Sequence, residues 1–451
     1  MRRKSFALHA QKLDMLNGSI WNKLPQFALP VAATAILEQL FNASDVAVVG
    51  NFTGAEKTAA VAAVGANSPI IGLIVNLFIG IALGANVVIA HAAGQGDRDS
   101  IQKAVHTSVL VALLGGAAVA VLGELAAAPL LGLLNVPEDV FPLALLYLRI
   151  YLLGMPVILL YNFEAAIFRS MGETRTPLLA LTASGILNVI LNLFFVAVLH
   201  MTVNGVAIAT VLSNAVSSVI LYRRLRLSTL DIHLDPKRLR IDRESLGRIL
   251  RIGLPSAVQF LLTLVAVGAL TKFMSLYDTA AVAALGIVKK LDMLPLYFSI
   301  GVANGLLPLL AYNYSAENHE RRHRIFLCGC AVAVGFSVVC VAGYEVFAPA
   351  LVRIFIGDAQ TIAYGTKLLR IMVLAMPMMS VCYPMITQFQ AMGRMRESLI
   401  CSILRKGSLD IPLLFVLNAL FPLYGCAAVQ PIVDCICMIV AIYFYKKLPT
   451  A

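Results

Sequence analysis

Of the 451 residues, 60% are hydrophobic and only 13% are Asp, Glu, Lys or Arg, at a mean hydropathy of +0.85. Soluble domains carry about 25% charged residues, so a deficit this large over the whole chain excludes a water-soluble fold and makes lipid the solvent for most of the surface. The net charge of +11 sits mainly in short segments between apolar runs, where basic residues act as topology signals, and this excludes nucleic acid as the partner.

Only helices and closed barrels satisfy every backbone polar group in hydrocarbon. The apolar runs are continuous and about twenty residues or longer, enough for an α-helix to cross ~30 Å; the ten-residue alternation of a barrel is absent. The expected class is an all-α polytopic membrane protein. A tail at 1–22 starts basic but lacks the apolar core of a signal peptide, so insertion is expected to use the first membrane helix. Twelve helices are predicted, at 24–50, 60–90, 103–126, 140–166, 178–199, 202–222, 248–274, 280–312, 324–350, 362–391, 399–420 and 424–445.

A charge at mid-bilayer costs roughly 2.5–3.5 kcal/mol on insertion scales, so the polar residues within these helices need reasons. The first helix carries Glu38 and Asp45, seven residues apart and therefore on one stripe, with Pro30 as a point of bending. The third carries His106 alone, read as a satisfied core histidine. In the fourth, Arg149 snorkels to the interface and Glu164 has Arg169 nearby for a local ion pair. In the fifth, Asn188 and Asn192 share a face; Thr210 follows in the sixth. The polar stretch 223–247 reads as a linker between two domains, 23–222 and 248–445. Beyond it, Pro255 lies in the seventh helix. Lys289, Lys290 and Asp292 lie in the eighth, where the i,i+3 spacing of Lys289 and Asp292 predicts a neutralised pair; the alternative is a cavity-facing cation. Arg370 in the tenth reads like Arg149. Asp410 and Asp434 lie in the eleventh and twelfth. All eight cysteines fall from Cys328 onward, mostly in apolar segments, and small apolar packing is the expectation. The great majority of the 35 Lys and Arg residues, Arg405 and Lys406 among them, count on the side of the N-terminus. That places both tails (1–22 and 446–451) and the linker in the cytoplasm and requires an even number of spans.

The two halves repeat. TAAVAAVG at 58–65 returns as TAAVAALG at 279–286, an offset of 221. The same offset pairs Gly80 with Gly301, Gly84 with Gly305, LRIYLLGMP at 148–156 with LRIMVLAMP at 369–377, and Met171-Gly172 with Met392-Gly393. At the first helix of each half the offset is 225, pairing Leu29-Pro30 with Leu254-Pro255. Six spans per copy is an even number, so the copies share an orientation and are related by a pseudo-two-fold axis along the membrane normal.

Several stretches, in this order and spacing, resemble the multidrug and toxic compound extrusion (MATE) family. They are LPVAATAILEQLFNASDVAVVG, GIALGANVVIAHAAGQGD and FRSMGETRTPLL in the first half, and GLPSAVQ, PLLAYNYSAENHERR and QAMGRMRESL in the second. The YNYSAENHERR stretch looks most like the bacterial MepA-type branch. The resemblance implies two six-helix lobes around a cavity in a monomer of the inner membrane. It implies secondary antiport, with Na⁺ or H⁺ entering as an amphipathic, usually cationic drug or other xenobiotic leaves, and with no prosthetic cofactor.

In an archaeal branch of that family a first-helix Asp, a fifth-helix Asn and Asp and a sixth-helix Thr surround the cation. Asp45, Asn188, Asn192 and Thr210 fall at those positions. Asn192 stands where that branch has Asp, so one carboxylate with amide and hydroxyl oxygens remains, a set suited to a monovalent hard cation; Na⁺ at Asp45 is the one metal implied. As charges within predicted helices, Glu38, Lys289, Asp292 and Asp410 are further candidate coupling or cavity residues, although members of the family often have a neutral residue at the Glu38 position; the resemblance gives Pro30, and through the repeat Pro255, the role of helix bending. The second-lobe acid site of the NorM-type branch is altered, since its seventh-helix position is Thr263 and residues 368–392 hold no Asp or Glu. Two other functions compete. A lipid-linked saccharide flippase of the same superfamily would commonly have more spans and a strongly basic cavity. A membrane enzyme would need a metal, nucleophile or nucleotide motif, and none is visible.

Overall fold

The computed structural model describes residues 19–54, 57–134, 136–228 and 231–447; the expected tails fall largely outside them. The described chain is helical throughout, in the order α1 (Ile20–Phe52), α2 (Lys57–Gln95), α3 (Arg98–Leu133), α4 (Phe141–Leu153), α5 (Met155–Ser170), α6 (Arg175–Leu193) and α7 (Val203–Arg226). The second half continues with α8 (Arg243–Met274), α9 (Thr279–Ser315), α10 (His319–Arg353), α11 (Ala359–Val373), α12 (Ala375–Ala391), α13 (Met395–Ile403), α14 (Asp410–Leu420) and α15 (Tyr424–Lys446). Among the described residues, nine helices are singly long and apolar enough to cross a membrane. The pairs α4–α5 and α11–α12 each make one more path, bent by 51° and 41°. α13 and α14, of 9 and 11 residues, make a shorter, broken path in the stretch where the remaining span was expected.

That path differs from the unbroken helix expected at 399–420. A π turn over Leu404–Ser408 separates α13 from α14. The helices expected at 140–166 and 362–391 likewise break, at Gly154 and Leu374, each ahead of a proline that cannot donate to the preceding turn (Pro156 and Pro377). By contrast α1 and α8 run on through Pro30 and Pro255. In α1 the Thr34 hydroxyl donates to the Pro30 carbonyl at 2.8 Å, a back-bond of the kind that bends helices.

Burial separates lipid from protein contact. Only 22% of the apolar window of α3 and 28% of that of α10 is covered by other helices, against 56% for α2 and 61% for α9. The latter two are therefore central and the former peripheral. Three apolar cores follow. One draws only on α1–α7, from Val48 to Ala207. A second draws only on the second half, from Met274 to Val433. The third joins both halves, with Phe27, Ile89, Leu306 and Phe389 among its fully buried members.

The joint core closes along two seams of small residues related by the repeat. α2 lies on α8, and α9 lies on α1. A Cβ on Gly80 or Gly84 would collide with the α8 backbone at Ala257 or at Ile249 and Gly253. In the other seam a Cβ on Gly301 would stand 2.5 Å from Ala32 and one on Gly305 2.9 Å from Ala28. With no hydrophobic drive between helices in lipid, such backbone approach supplies the contact. The pairing matches the 221 and 225 offsets, as do other details. Gly172 and Gly393 both have positive φ, +82° and +70°. The Arg149 guanidinium pairs with Glu124 at 3.1 Å and that of Arg370, its repeat partner, with Glu345 at 3.6 Å, so both arginines hold ion pairs that the snorkelling reading did not include.

Between the halves, residues 231–242 are docked on α3. Ile232 and Leu234 are buried, Arg98 pairs with Asp231 at 3.1 Å, and both His106 ring nitrogens are engaged, with the Gln102 and Asp235 backbone. His106 is thus satisfied as expected, by the linker. The Asp242 amide donates to the Thr107 hydroxyl at 3.0 Å. Its carboxylate caps α8 by accepting from the Ser245 amide at 2.8 Å, which holds that carboxyl below the usual range.

Candidate functional site

α1, α6 and α7 bring Asp45, Asn188, Asn192 and Thr210 into one closed ring of hydrogen bonds. Asn192 donates to Asp45 Oδ1 at 2.6 Å and to Asn188 Oδ1 at 3.1 Å. Asn188 donates to Thr210 Oγ1 at 3.4 Å. The Thr210 hydroxyl lies 3.1 Å from Asp45 Oδ2 and 3.0 Å from the Val206 carbonyl. All four side chains are buried, Asn192 completely. The i,i+4 spacing sets Asn188 and Asn192 one above the other on α6. α1 comes close because Gly185, one turn before Asn188, faces the ring of Phe41, one turn before Asp45; any side chain at Gly185 would occupy the place of that ring.

Besides the two amide nitrogens that donate within it, the ring holds five oxygen atoms: both carboxylate oxygens of Asp45, two amide oxygens and a hydroxyl. The Asn192 Oδ1 atom has no hydrogen-bond partner, and Asp45 has no basic residue within ion-pair distance among the described residues. A buried carboxylate without a counter-charge is strongly disfavoured. The arrangement is chemically complete only when Asp45 carries a proton or when a small cation joins it and takes up the unused amide oxygen.

The other expected residues are placed elsewhere. Glu38 is part-buried on the Asp45 stripe and makes no hydrogen bond or ion pair among the described residues. Glu164 does not pair with Arg169; it is fully buried, accepts from the Ser218 hydroxyl at 2.9 Å, and its second oxygen has no partner. Lys289 and Asp292 do not form the expected ion pair, since no such contact lies within 4 Å among the described residues. Lys289 instead faces a pocket with Lys406 and Asp410. Arg405 and Lys406 are not loop charges: the π turn carries both into the second half, with Arg405 bonded to the fully buried Asp434 at 2.5 Å. All eight cysteines are free thiols, in keeping with a packing role. No group of three or more His, Cys, Asp or Glu side chains suited to a metal occurs among the described residues.

Sequence reasoning missed Gly185, Ser218, Arg405, Lys406 and Gln430. Gly185 had a signal in its spacing of three from Asn188. For Arg405 and Lys406 the signal was two adjacent cations in an otherwise apolar span, which a straight helix cannot turn to one side.

A parallel repeat of long apolar helices with a buried polar ring in one half defines a multi-pass membrane transporter. The chain belongs to the MatE family, whose sequence model matches twice, at residues 30–194 and 255–416, once in each half. Among its relatives, the Staphylococcus saprophyticus multidrug export protein MepA is 25% identical over 94% of this chain and 93% of its own. The probable multidrug resistance protein YoeA of Bacillus subtilis is 24% identical over 89% and 87%. The fold is that of solved MATE structures. A MATE transporter described as outward-facing aligns over 97% of both chains with a TM-score of 0.89 at 23% identity, and a MATE in a bent conformation gives 0.90 at 22%.

Proposed function

We propose that this protein is a cation-coupled efflux antiporter of the inner membrane, exchanging inward Na⁺ or H⁺ for amphipathic, mainly cationic compounds by alternating access of its two lobes (23–222 and 248–445). In this reading it is a transporter and not an enzyme. The observation that carries the proposal is the Asp45 ring: a lone buried carboxylate, oxygen ligands on three helices, and one amide oxygen left over. In the charged state it takes a cation; in the protonated state it rests on its amide and hydroxyl donors. A site with two such states exchanges ions only if lobe arrangement and loading are coupled. Both MepA and YoeA bear multidrug names, which supports the choice of cargo. With the docked linker in the cytoplasm, the glycine seams close the cytoplasmic half and leave the outer half to each lobe's own core, an outward-facing arrangement.

The test is dye-driven cation flux in proteoliposomes. Asp45→Asn keeps the shape and removes the charge; it is expected to insert and fold but to abolish coupled flux. Asn188→Ala and Asn192→Ala, which each remove one neutral oxygen, should weaken cation dependence by roughly three- to thirtyfold, in line with about 0.6–2 kcal/mol per such contact in membranes. An Asp45→Asn protein present at normal level that still extrudes dye with unchanged cation dependence rejects the reading.

A further inference from the structure

The second lobe holds a pocket at the place that the repeat assigns to the Asp45 ring. At the first-helix offset of 225, Asp45 corresponds to Leu270. Before the π turn the offset in the α6-like span is 221. A π turn accommodates one extra residue in a helix, so beyond Leu404–Ser408 it becomes 222 and sets Asn188 on Asp410 and Asn192 on Leu414. The first lobe has its own π turn later in the span, at Phe194–Val198. It restores the frame, so that Thr210 corresponds to Pro431, next to Gln430. Leu270, Asp410, Leu414 and Gln430 all line a single pocket between α8, α9, the π turn, α14 and α15.

The chemistry there has changed. The Asp45 carboxylate and the Asn192 amide are replaced by leucines, and two ammonium groups, Lys289 and Lys406, enter the lining. Arg405 is matched to Asp434, and its guanidinium also covers the Tyr383 ring at 4.2 Å. Lys406 is 92% buried by its 8% exposure, yet its one hydrogen-bond partner is a neutral amide, Gln430 Oε1 at 2.5 Å, whose nitrogen is committed to Asp434. Neither Lys289 nor Lys406 has a carboxylate within 4 Å among the described residues. Asp410 lines the pocket and Asp292 stands within Coulombic reach, so two carboxylates balance the two ammonium groups in charge, while the ammonium groups keep unused donors. A buried ammonium has three donors to satisfy, and an anionic oxygen is what satisfies them best. The rest of the lining is apolar, from Ala266 and Val267 to Val429.

We propose that this pocket binds the anionic head of an amphipathic substrate, a carboxylate held between Lys289 and Lys406 with the apolar body on α8 and α15. The lobes then divide the work: the first keeps the cation ring and the second has converted its equivalent into a cargo site. The inference rests on the transport reading for its meaning but not for its measurement. A zwitterionic amphipath would set its carboxylate on the two lysines and its amine toward Asp410.

The experiment is equilibrium binding to the purified full-length protein in detergent, by fluorescence anisotropy. It uses two dyes that share one xanthene cation: rhodamine 110, with a free carboxylate, and rhodamine 123, its methyl ester. Lys406→Gln and Lys289→Gln should each weaken rhodamine 110 by about tenfold or more, as expected for a lost charge-assisted hydrogen bond, and change rhodamine 123 less than about twofold. Lys406→Arg, which keeps the charge, should retain most of the affinity for the acid. Using both lysines guards against one variant failing to fold, which the elution profile reports. Equal changes for the two dyes, or an unchanged affinity for the acid in a folded lysine variant, overturn the proposal. Asp45→Asn separates it from the coupling model: acid binding should persist there even as coupled flux is lost. A loss of acid binding equal to that of the lysine variants would place the site in the first lobe and also overturn the proposal.

Discussion

At the scale of single residues, Gly185 has as large a part in the polar ring as the groups that form it. Its missing side chain lets Phe41 seat against α6, and Phe41 and Asp45 are one turn apart on α1. Gly185→Val would force the ring away and α1 with it, an overpacking that costs about 1–3 kcal/mol. The expected result is a rise of roughly tenfold or more in the cation concentration that half-saturates flux, with all four polar residues intact. A folded Gly185→Val protein with wild-type cation dependence would mean that the ring does not need this approach. Asp45, Asn188, Asn192 and Thr210 were legible in the sequence because acid and amide residues stand out in apolar helices and a family pattern placed them. The partners of Glu164 and Lys289 were not. Spacing of i,i+3 or i,i+5 on one helix says which groups can meet; it does not say that Ser218, 54 residues away, offers a hydroxyl at lower cost than a buried ion pair.

At the scale of elements, the two glycine seams fix how closely the halves meet. Because a Cβ at Gly84 meets backbone atoms of Ile249 and Gly253, no rotamer change relieves it. Gly84→Val is therefore expected to disfavour this arrangement and lengthen the distance between spin labels on α2 and α8 at the linker end. An unchanged distance distribution would show that the seam has slack. The seams were readable in outline, since Gly80, Gly84, Gly301 and Gly305 recur at one offset, but not which helix each glycine touches. The π turns were not readable. An extra residue in a helix leaves no compositional mark, and Leu404–Ser408 looks like ordinary helix interrupted by two charges. That one displaced register separates a neutral reading of Arg405 and Lys406 as loop cations from their actual place beside Asp434 and Gln430.

At the scale of the molecule, the repeat was the most legible property. Ungapped matches over more than a hundred residues demanded two similarly oriented halves, and the paired seams, the paired helix breaks and the paired Arg–Glu contacts follow it. The side of the membrane on which the linker lies is a separate matter, argued from the distribution of Lys and Arg. Cysteines introduced at Arg238 and Arg240, both solvent-facing to a substantial degree, should resist a membrane-impermeant maleimide added outside intact cells and react after permeabilisation. Labelling from outside at these positions would invert the topology and with it the direction of transport.

The docking of residues 231–242 has a mechanical consequence. The α8 N-terminus is pinned to α3 where the Asp242 amide meets Thr107, so a tilt of the second lobe has a fulcrum there, and α8 is a lever of 32 residues, about 48 Å long at 1.5 Å per residue. A 10° tilt about that point would carry its far tip about 8 Å but move Gly253, about 15 Å from the fulcrum, by only about 3 Å. Backbone contact made through glycine is lost over such a short stroke. The same small rotation that unzips the seam therefore swings the opposite mouth through more than the width of a side chain, and the placement of the glycines near the fulcrum sets that gearing.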